Sequence, residues 1–390
     1  MIGRMMLMDR FPSPPDAQVT LANWRTPPFN RWAFHHVREI VPSAEIANDS
    51  LDVSPLEGAP GRHPGLDALF EETASDGLLV LRQGRVVYER YANGMAPESP
   101  HILMSVSKSM LGLLAGILEA RGVLRLDARV TAIVPELAGG AYEGASVRDL
   151  LDMRAAVGFD EDYLATSGPI VEYRKATGWN PLGPGDTPSD LRSFLPTLRT
   201  KEGPHGGAFK YTSPNTDLLG WVIERASGRR YADLMSELLW KPLGAGRPAY
   251  ITVDRLGAPR CAGGMCVTLR DLARVGRLVL ERGRRGDREI VPARWIDDLE
   301  NGGDPAAWAA GNLVEHFGPR PMRYRSKWYL LEDAGKPKIL FGWGIHGQHV
   351  FIDRANGIVA AKLSSQALPI DAPAMRRTLE YVTGLAKALG

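Results

Sequence analysis

The sequence predicts an α+β fold in which both ends of the chain build one antiparallel sheet around a mostly helical insert. Two hairpin signals lie far apart: Gln83-Gly84 joins LLVLR to RVVYERY, and Asn356-Gly357 joins GQHVFIDRA to GIVAAKLSS. Between about residues 125 and 270 the pattern changes to helical segments and long loops. We therefore predict a sheet domain in two parts, 1–124 and 273–390, and an inserted helical domain over 125–272.

The remaining elements can be placed in chain order. The first sixty residues are rich in Pro, Asn and Trp, which is typical of an extended arm packed on a core. The first hairpin follows, and then the most apolar helix of the chain, within HILMSVSKSMLGLLAGILEARG (101–122). After the second hairpin, a final helix is predicted from about Pro373 to Leu389.

Composition excludes several classes of partner. The 390 residues carry a formal net charge of +2 without any block of like charges, so we expect no nucleic-acid partner. The longest apolar stretch, Met110 to Leu118, is too short to cross a bilayer, and the N-terminus lacks a signal-peptide pattern. Two cysteines, Cys261 and Cys266, indicate a reduced compartment. We expect a cytoplasmic protein, monomeric or homodimeric, that has no membrane partner.

Ser105 and Lys108 lie at the head of the apolar helix and are the first candidate catalytic residues. Residues three apart on a helix share a face, with Cβ atoms roughly 5 to 6 Å apart, so the lysine amine can reach the serine hydroxyl. A lysine activates a serine only if burial lowers its pKa from about 10.4 towards 7 or 8. The free NH groups of the helix N-terminus point at whatever group lies beside Ser105 and would supply half of an oxyanion hole. Alternatively, Ser105 only caps the helix and Lys108 is solvated.

Tyr211 is the second candidate, because it ends a short β-like run just before a helix that begins near Pro214 or Asn215. A phenolic oxygen in that position can serve as acid and base beside a lysine, in an enzyme that uses no catalytic histidine. The alternative is a core aromatic residue whose hydroxyl is bonded to a loop.

The segment GWGIHGQHVFID is the third candidate, because the backbone NH groups of Gly344, Ile345, His346 and Gly347, just ahead of a strand, could complete an oxyanion hole. His346 and His349 are three residues apart, so on a strand they would point to opposite faces, and no metal-binding motif surrounds them. We therefore expect no metal and no cofactor.

Taken in this order, Ser-x-x-Lys, a mid-chain tyrosine and a Gly- and His-containing strand resemble the penicillin-recognising serine hydrolases of the class C β-lactamase type. The segments NRWAFHH, LMSVSKS, VPELAGGAYEG, NTDLLGWVIERASG and GIHGQHVFID are similar to the 6-aminohexanoate-dimer hydrolases, nylon-oligomer hydrolases that are also carboxylesterases. The resemblance spans nearly the whole chain and implies the β-lactamase/penicillin-binding-protein-like fold.

The same resemblance implies roles for individual residues. Ser105 would be the nucleophile, Lys108 and Tyr211 its acid and base partners, and the NH groups of Ser105 and Ile345 the oxyanion hole. The substrate-binding residues it implies are Tyr163, Trp179, Ser213 and His346.

The chain also departs from these families. His346-Gly347-Gln348 stands where β-lactamases carry Lys-Thr-Gly, and Tyr211-Thr212-Ser213 lacks the amide of their Tyr-x-Asn motif. Tyr173-Arg174-Lys175 aligns with the run from which efficient nylon-dimer hydrolases offer an acidic side chain. We therefore predict a serine hydrolase that acts on small esters, with linear amides such as 6-aminohexanoate dimer as a second candidate class of substrate. The alternatives are a β-lactamase or D-amino-acid peptidase, and a non-catalytic binding protein.

Overall fold

A seven-stranded antiparallel sheet dominates the computed structural model, which describes residues 7–389. Its strand order is β3-β2-β13-β12-β11-β10-β9, so both chain ends contribute strands to one sheet, as the sequence predicts, and they meet where β2 pairs with β13. The strands are β1 (Ser43–Ile46), β2 (Ser75–Arg82), β3 (Arg85–Tyr91), β4 (His101–Ile102), β5 (Ala249–Thr252), β6 (Met265–Val267), β7 (Arg284–Arg285), β8 (Arg288–Glu289), β9 (Met322–Arg325), β10 (Trp328–Leu331), β11 (Ile339–Gly344), β12 (Gln348–Asp353) and β13 (Ile358–Ser364).

Both predicted hairpins are present. Gln83 and Gly84 have φ values of 50° and 74°, the positive values that a tight two-residue turn needs, and the paired residues Arg82 and Arg85 close it. The second hairpin joins β12 to β13 through a four-residue connection, 354–357, in which Gly357 has a φ of 66°.

Helices pack on both faces of the sheet and fill the middle of the chain. They are α1 (Asn30–Ala33), α2 (Pro64–Glu72), α3 (Val106–Ala120), α4 (Val130–Ile133), α5 (Val147–Leu151), α6 (Pro169–Ala176), α7 (Leu191–Phe194), α8 (Ser213–Ser227), α9 (Tyr231–Met235), α10 (Lys241–Leu243), α11 (Leu269–Leu280), α12 (Ala293–Asn301), α13 (Pro305–Ala309), α14 (Val314–Phe317), α15 (Ala372–Thr383) and α16 (Leu385–Ala388). The predicted final helix is thus two helices with a break at Gly384. Within residues 7–389, none of the helices combines the length and apolarity that a membrane span needs.

The apolar helix α3 is the centre of the molecule. It packs against β10, β11 and β12 on one side and against α8 on the other, and every residue from 106 to 118 is buried. Gly112 allows this close packing, because a Cβ atom there would lie 2.2 Å from the carbonyl oxygen of Ser326. The helix that carries the candidate nucleophile is therefore held rigidly.

A second sheet, with the order β1-β5-β6-β4, was not predicted. Its strands are two to four residues long, too short for an alternating pattern to identify them. β1 comes from the N-terminal arm and pairs with β5, so the arm is partly a strand and not wholly irregular. β4 leads directly into α3 and thereby fixes where the helix begins.

The division into domains stays a prediction, and two features support it. The seven-stranded sheet draws its strands from residues 75–91 and 322–364. Helix α11 packs on β2, β12 and β13 of that sheet, which favours a boundary just before Leu269, close to the predicted residue 273.

Candidate active site

Ser105 lies at a sharp turn between β4 and α3. Met104, directly before it, has a φ of 44°, which is unusual for a residue with a long side chain and costs on the order of 1 kcal/mol or more. Ser105 occupies the N-cap position of α3 but makes no capping hydrogen bond. Ser105 is 8% exposed and lines a narrow cavity of about 30 Å³, roughly the volume of one water molecule. The hydroxyl is therefore available to a bound group.

Lys108 lies one turn further along α3 and is 1% exposed. Its Nζ is 2.8 Å from Ser105 Oγ, 3.1 Å from Ser213 Oγ and 2.6 Å from the carbonyl oxygen of Ala262. Burial lowers the pKa of Lys108 to about 7, opposed by the charge of Glu161 and assisted by Arg260. A neutral amine can donate its two protons to Ala262 and Ser213, which leaves its lone pair for the Ser105 proton.

Tyr211 comes from the irregular segment before α8, where no strand forms, contrary to the predicted β-like run. Asn312 fixes its backbone by accepting from the Tyr211 NH at 2.8 Å and donating to its carbonyl at 3.3 Å. The ring lies under Lys108, whose Nζ is 4.8 Å from the ring centre. Within residues 7–389 the buried Tyr211 hydroxyl has no hydrogen-bond partner of its own.

Burial and the charge of Glu161 raise the pKa of Tyr211, and the neighbouring Ser105 hydroxyl opposes the rise. Tyr211 is therefore a neutral phenol at pH 7, while the lowered pKa of Lys108 makes its neutral amine accessible near that pH. This pair of protonation states suits a base at Lys108 and an acid at Tyr211.

The end of β11 approaches the head of α3 closely. A Cβ atom on Gly344 would lie 2.6 Å from the carbonyl oxygen of Leu103 and 2.9 Å from the Ser105 nitrogen, so only glycine fits. Ile345, the next residue, lines the same narrow cavity as Ser105. The two segments from which the predicted oxyanion hole would draw its NH groups are thus adjacent.

His346 has a φ of 61° and lies in a turn, so it is not on a strand opposite His349 as assumed from the spacing. Its Nδ1 is 2.7 Å from the carbonyl oxygen of Gln366, to which it must donate. Burial lowers the pKa of His346 to about 4, which leaves the ring uncharged at neutral pH. Across residues 7–389, no group of three His, Cys, Asp or Glu side chains could hold a metal ion.

The other predicted substrate-binding residues line the Ser105 cavity, but their polar atoms have protein partners. Tyr163 donates its hydroxyl proton to Glu161 Oε1 at 2.8 Å, and Trp179 Nε1 donates to Thr252 Oγ1 at 3.0 Å. Ser213 donates to Glu161 and accepts from Lys108. These residues shape and hold the site through contacts that the sequence alone does not show.

Glu161 was missed by the sequence analysis. One of its carboxylate oxygens accepts from the Tyr163 and Ser213 hydroxyls, and the other accepts from the Ser213 backbone NH at 2.6 Å. The only available signal was its place in the acidic run DEDY, two residues before Tyr163. Glu161 connects the loop of Tyr163 to the hydroxyl that Lys108 contacts.

Two larger clefts lie beside the Ser105 cavity, and Tyr163, Leu164, Leu368 and Pro369 line both of them. We call one the acidic cleft: it measures about 400 Å³ and is lined by Asp160, Glu161, Asp162 and Tyr211, among others. The arginine cleft measures about 510 Å³, and its wall includes Arg25, Arg174 and Ile345.

Within the run Tyr173-Arg174-Lys175, the two basic side chains lie in different environments. Arg174 lines the arginine cleft and donates to the carbonyl oxygens of Tyr163 at 2.9 Å and Ala165 at 3.2 Å. Lys175 lines none of the three cavities and pairs with Glu172 at 2.9 Å and Asp186 at 2.8 Å. Glu172 is thus engaged by Lys175 and likewise lines none of the three cavities.

A serine hydroxyl beside a buried amine, with a phenol and a narrow cavity next to them, defines the class of serine acyl hydrolases that use a lysine and a tyrosine. The sequence matches the Beta-lactamase family over residues 66–384. The chain therefore belongs to the β-lactamase family and is a serine hydrolase.

Its relatives narrow the class further. The chain is 38% identical over 361 residues to the 6-aminohexanoate-dimer hydrolase of Paenarthrobacter ureafaciens, covering 91% of this chain and 90% of that protein. It is 29% identical over 208 residues to esterase EstB of Burkholderia gladioli, covering 48% and 52%. A Bacillus anthracis structure provisionally described as a 6-aminohexanoate-dimer hydrolase matches with a TM-score of 0.86, 23% identity, and 97% and 98% coverage. The predicted family and fold are confirmed.

Proposed function

We propose that the enzyme hydrolyses small carboxylic esters through an acyl-enzyme on Ser105. The observation that carries this proposal is the 2.8 Å contact between Ser105 Oγ and the buried Lys108 amine, whose pKa is lowered to about 7. Such a base is deprotonated in a large fraction of molecules at neutral pH and can take the serine proton.

In acylation, Ser105 Oγ forms a bond to the ester carbonyl carbon while its proton passes to Lys108. The NH groups of Ser105 and Ile345 would stabilise the negative oxygen of the tetrahedral intermediate. Tyr211 then protonates the leaving alkoxide as the carbon–oxygen bond breaks, and regains a proton from Lys108. Deacylation runs these transfers in reverse with water in place of the alcohol: Tyr211 takes a proton from the attacking water as it passes its own to Lys108, and Lys108 returns a proton to Ser105 Oγ as the acyl bond breaks and the acid is released.

Esters suit this site better than β-lactams. At the position of the β-lactamase Lys-Thr-Gly, the site presents the buried and uncharged His346, so the lysine that this motif offers to a β-lactam carboxylate is replaced by a neutral side chain. The alcohol of an ester is also a better leaving group than an amine. Hydrolysis of an ester therefore depends less on a site built to hold an amide. The linear amide cleaved by the Paenarthrobacter relative is a second candidate substrate, favoured by 38% identity over 91% of the chain.

The direct experiment compares p-nitrophenyl acetate turnover by the wild type and by Ser105→Ala. We expect turnover to fall to background in the variant, and mass spectrometry should locate the acetyl group or a fluorophosphonate label on Ser105 of the wild type. Equal rates for the two proteins would refute the mechanism. A wild type that reacts with neither reagent would indicate a non-catalytic protein, and nitrocefin turnover as fast as ester turnover would indicate a β-lactamase.

We also propose a cytoplasmic location and a monomeric or homodimeric state. Cys261 and Cys266 are both buried free thiols, which supports a reduced compartment. Light scattering coupled to size-exclusion chromatography would measure the oligomeric state.

A further inference from the structure

The two clefts beside Ser105 carry opposite charge. Among its lining residues, all within 7–389, the arginine cleft contains Arg25 and Arg174 but no aspartate or glutamate. The acidic cleft contains Asp160, Glu161 and Asp162 but no lysine or arginine. A substrate that spans both clefts would therefore meet a cationic wall at one end and an anionic wall at the other.

The two arginines of the arginine cleft also lack a protein counter-charge. Over residues 7–389, neither Arg25 nor Arg174 has a carboxylate within 4.0 Å, whereas the nearby Arg260 pairs with Asp217. Arg25 donates to the amide oxygen of Asn180, and its Nε is sealed from solvent without a hydrogen-bond partner. A half-buried guanidinium that lines a cleft and has no carboxylate partner is a suitable anchor for a planar anion.

Electrostatic repulsion between neighbouring arginines also favours the binding of an anion in this cleft. Burial and the charges of Arg174 and Arg260 lower the pKa of Arg25 to about 9. Burial likewise lowers the pKa of Arg174. The charges of Glu161 and Asp162 oppose this lowering at Arg174, but both oxygens of Glu161 are engaged by Ser213 and Tyr163. An anion bound in the cleft would relieve the repulsion of Arg25 by Arg174 and Arg260.

The residues that line more than one cavity indicate which end of the substrate lies in which cleft. Arg25 and Ile345 line both the Ser105 cavity and the arginine cleft. Tyr211, the proposed acid for the leaving group, lines the acidic cleft. The leaving alcohol is therefore expected on the acidic side, and the acyl chain on the arginine side.

We infer that the arginine cleft binds a free carboxylate at the far end of the acyl chain, so that the preferred substrates are half esters of dicarboxylic acids. This inference rests on the proposed ester hydrolysis at Ser105. Arg25 would make the main contact, because the guanidinium of Arg174 is engaged by the carbonyl oxygens of Ala165 and Tyr163; Arg174 adds charge and holds the loop of Tyr163.

The test compares kcat/KM for mono-p-nitrophenyl adipate with that for its neutral match, in which the far carboxyl is a methyl ester. Both substrates have the same leaving group and nearly the same acyl length. We expect the wild type to prefer the anionic ester by about 10-fold or more, as for a hydrogen bond to a buried charged group, and the preference to weaken as salt is added.

Variants at Arg25 assign the preference to this residue. Arg25→Gln should bring the ratio of the two kcat/KM values close to one, mainly through the KM of the anionic ester, and Arg25→Lys should keep part of the preference. Arg62→Gln is the matched control, because Arg62 is exposed and lines neither cleft; it should keep the wild-type ratio.

The outcomes separate this inference from the proposed function. Turnover of both esters at equal rates by the wild type would refute the inference and leave ester hydrolysis standing. Turnover of neither, without labelling of Ser105 by a fluorophosphonate, would refute the proposed function itself. A preference for 4-acetoxybenzoate over its methyl ester, with no preference in the adipate pair, would place the anion on the leaving-group side and overturn the assignment.

A measurement on the wild type alone covers the case in which the Arg25 variants do not fold. Adipate should inhibit p-nitrophenyl acetate turnover competitively and more strongly than dimethyl adipate. Equal inhibition by the two compounds, or none by adipate, would contradict an anion site in the arginine cleft.

Discussion

Two buried lysines in this protein contact a serine hydroxyl, but they lie in different surroundings. Lys108 on α3 contacts Ser105, and Lys362 on β13 donates to Ser364; both lysines are 1% exposed, and burial lowers the pKa of each to about 7. Ser105 lines a cavity and lies beside Tyr211, whereas Ser364 is fully buried within the sheet. A lowered lysine pKa is therefore insufficient for catalysis, which also requires access and a proton donor.

Lys108→Met should have the largest effect, because it removes the proposed base and leaves the shape of α3 nearly unchanged. We expect kcat/KM for p-nitrophenyl acetate to fall by about 10⁴-fold. Circular dichroism would verify that the variant is folded. A folded variant that retains a tenth of the wild-type rate would mean that another group activates Ser105.

Tyr211→Phe should come next, with a loss of roughly 10² to 10⁴ on an alkyl ester such as methyl butyrate. The loss should be smaller on p-nitrophenyl acetate, because p-nitrophenolate leaves without being protonated. Steady-state rates on the two substrates measure this difference. An equal loss on both would argue that Tyr211 acts on Ser105 and not on the leaving group.

Glu161→Gln should reduce kcat/KM by about tenfold, because it disturbs the contacts of Ser213 and Tyr163. It should also move the pH profile. The Glu161 charge raises the pKa of Lys108, so its removal lowers that pKa and shifts the rise of activity to lower pH. A rise shifted to higher pH would show that Glu161 does not act on Lys108 electrostatically.

Lys362→Met should have the smallest effect on turnover and is the matched control for Lys108→Met. Its amine contacts Ser364 and, at 3.2 Å, the Gly347 carbonyl oxygen, but it lines none of the cavities around Ser105. We expect kcat/KM to change by less than about threefold. A loss comparable to that of Lys108→Met would show that the two lysines are coupled and that the contrast between them is wrong.

The sequence predicted the features that local patterns encode. The hairpin turns at Gln83-Gly84 and Asn356-Gly357, the apolar helix, and the juxtaposition of Ser105 and Lys108 depend on neighbouring residues or helical spacing. Tyr211 was identified from its place before a helix, and the structure brings it beside Lys108. The fold class followed from where in the chain these patterns occur.

The features that were missed depend on contacts between distant parts of the chain. Ser213 and the Ala262 carbonyl lie 105 and 154 residues from Lys108, and together they fix the direction of its amine. Glu161 and Arg25 gain their roles only because separate loops close around Ser105. The short strands of the second sheet are likewise defined by pairing across the chain.

The central claim is that a neutral Lys108 takes the proton of Ser105, and the pH dependence of Ser105 acylation tests it most directly. The rate of inactivation by a small fluorophosphonate, followed by mass spectrometry from pH 5 to 10, reports this step without product release. Because the folded pKa is about 7 and the neutral form is the active one, the rate should rise tenfold per pH unit below 7 and level off above it. A rate that is independent of pH across 6 to 8, or that rises only near the ordinary lysine pKa of about 10.4, would contradict the account.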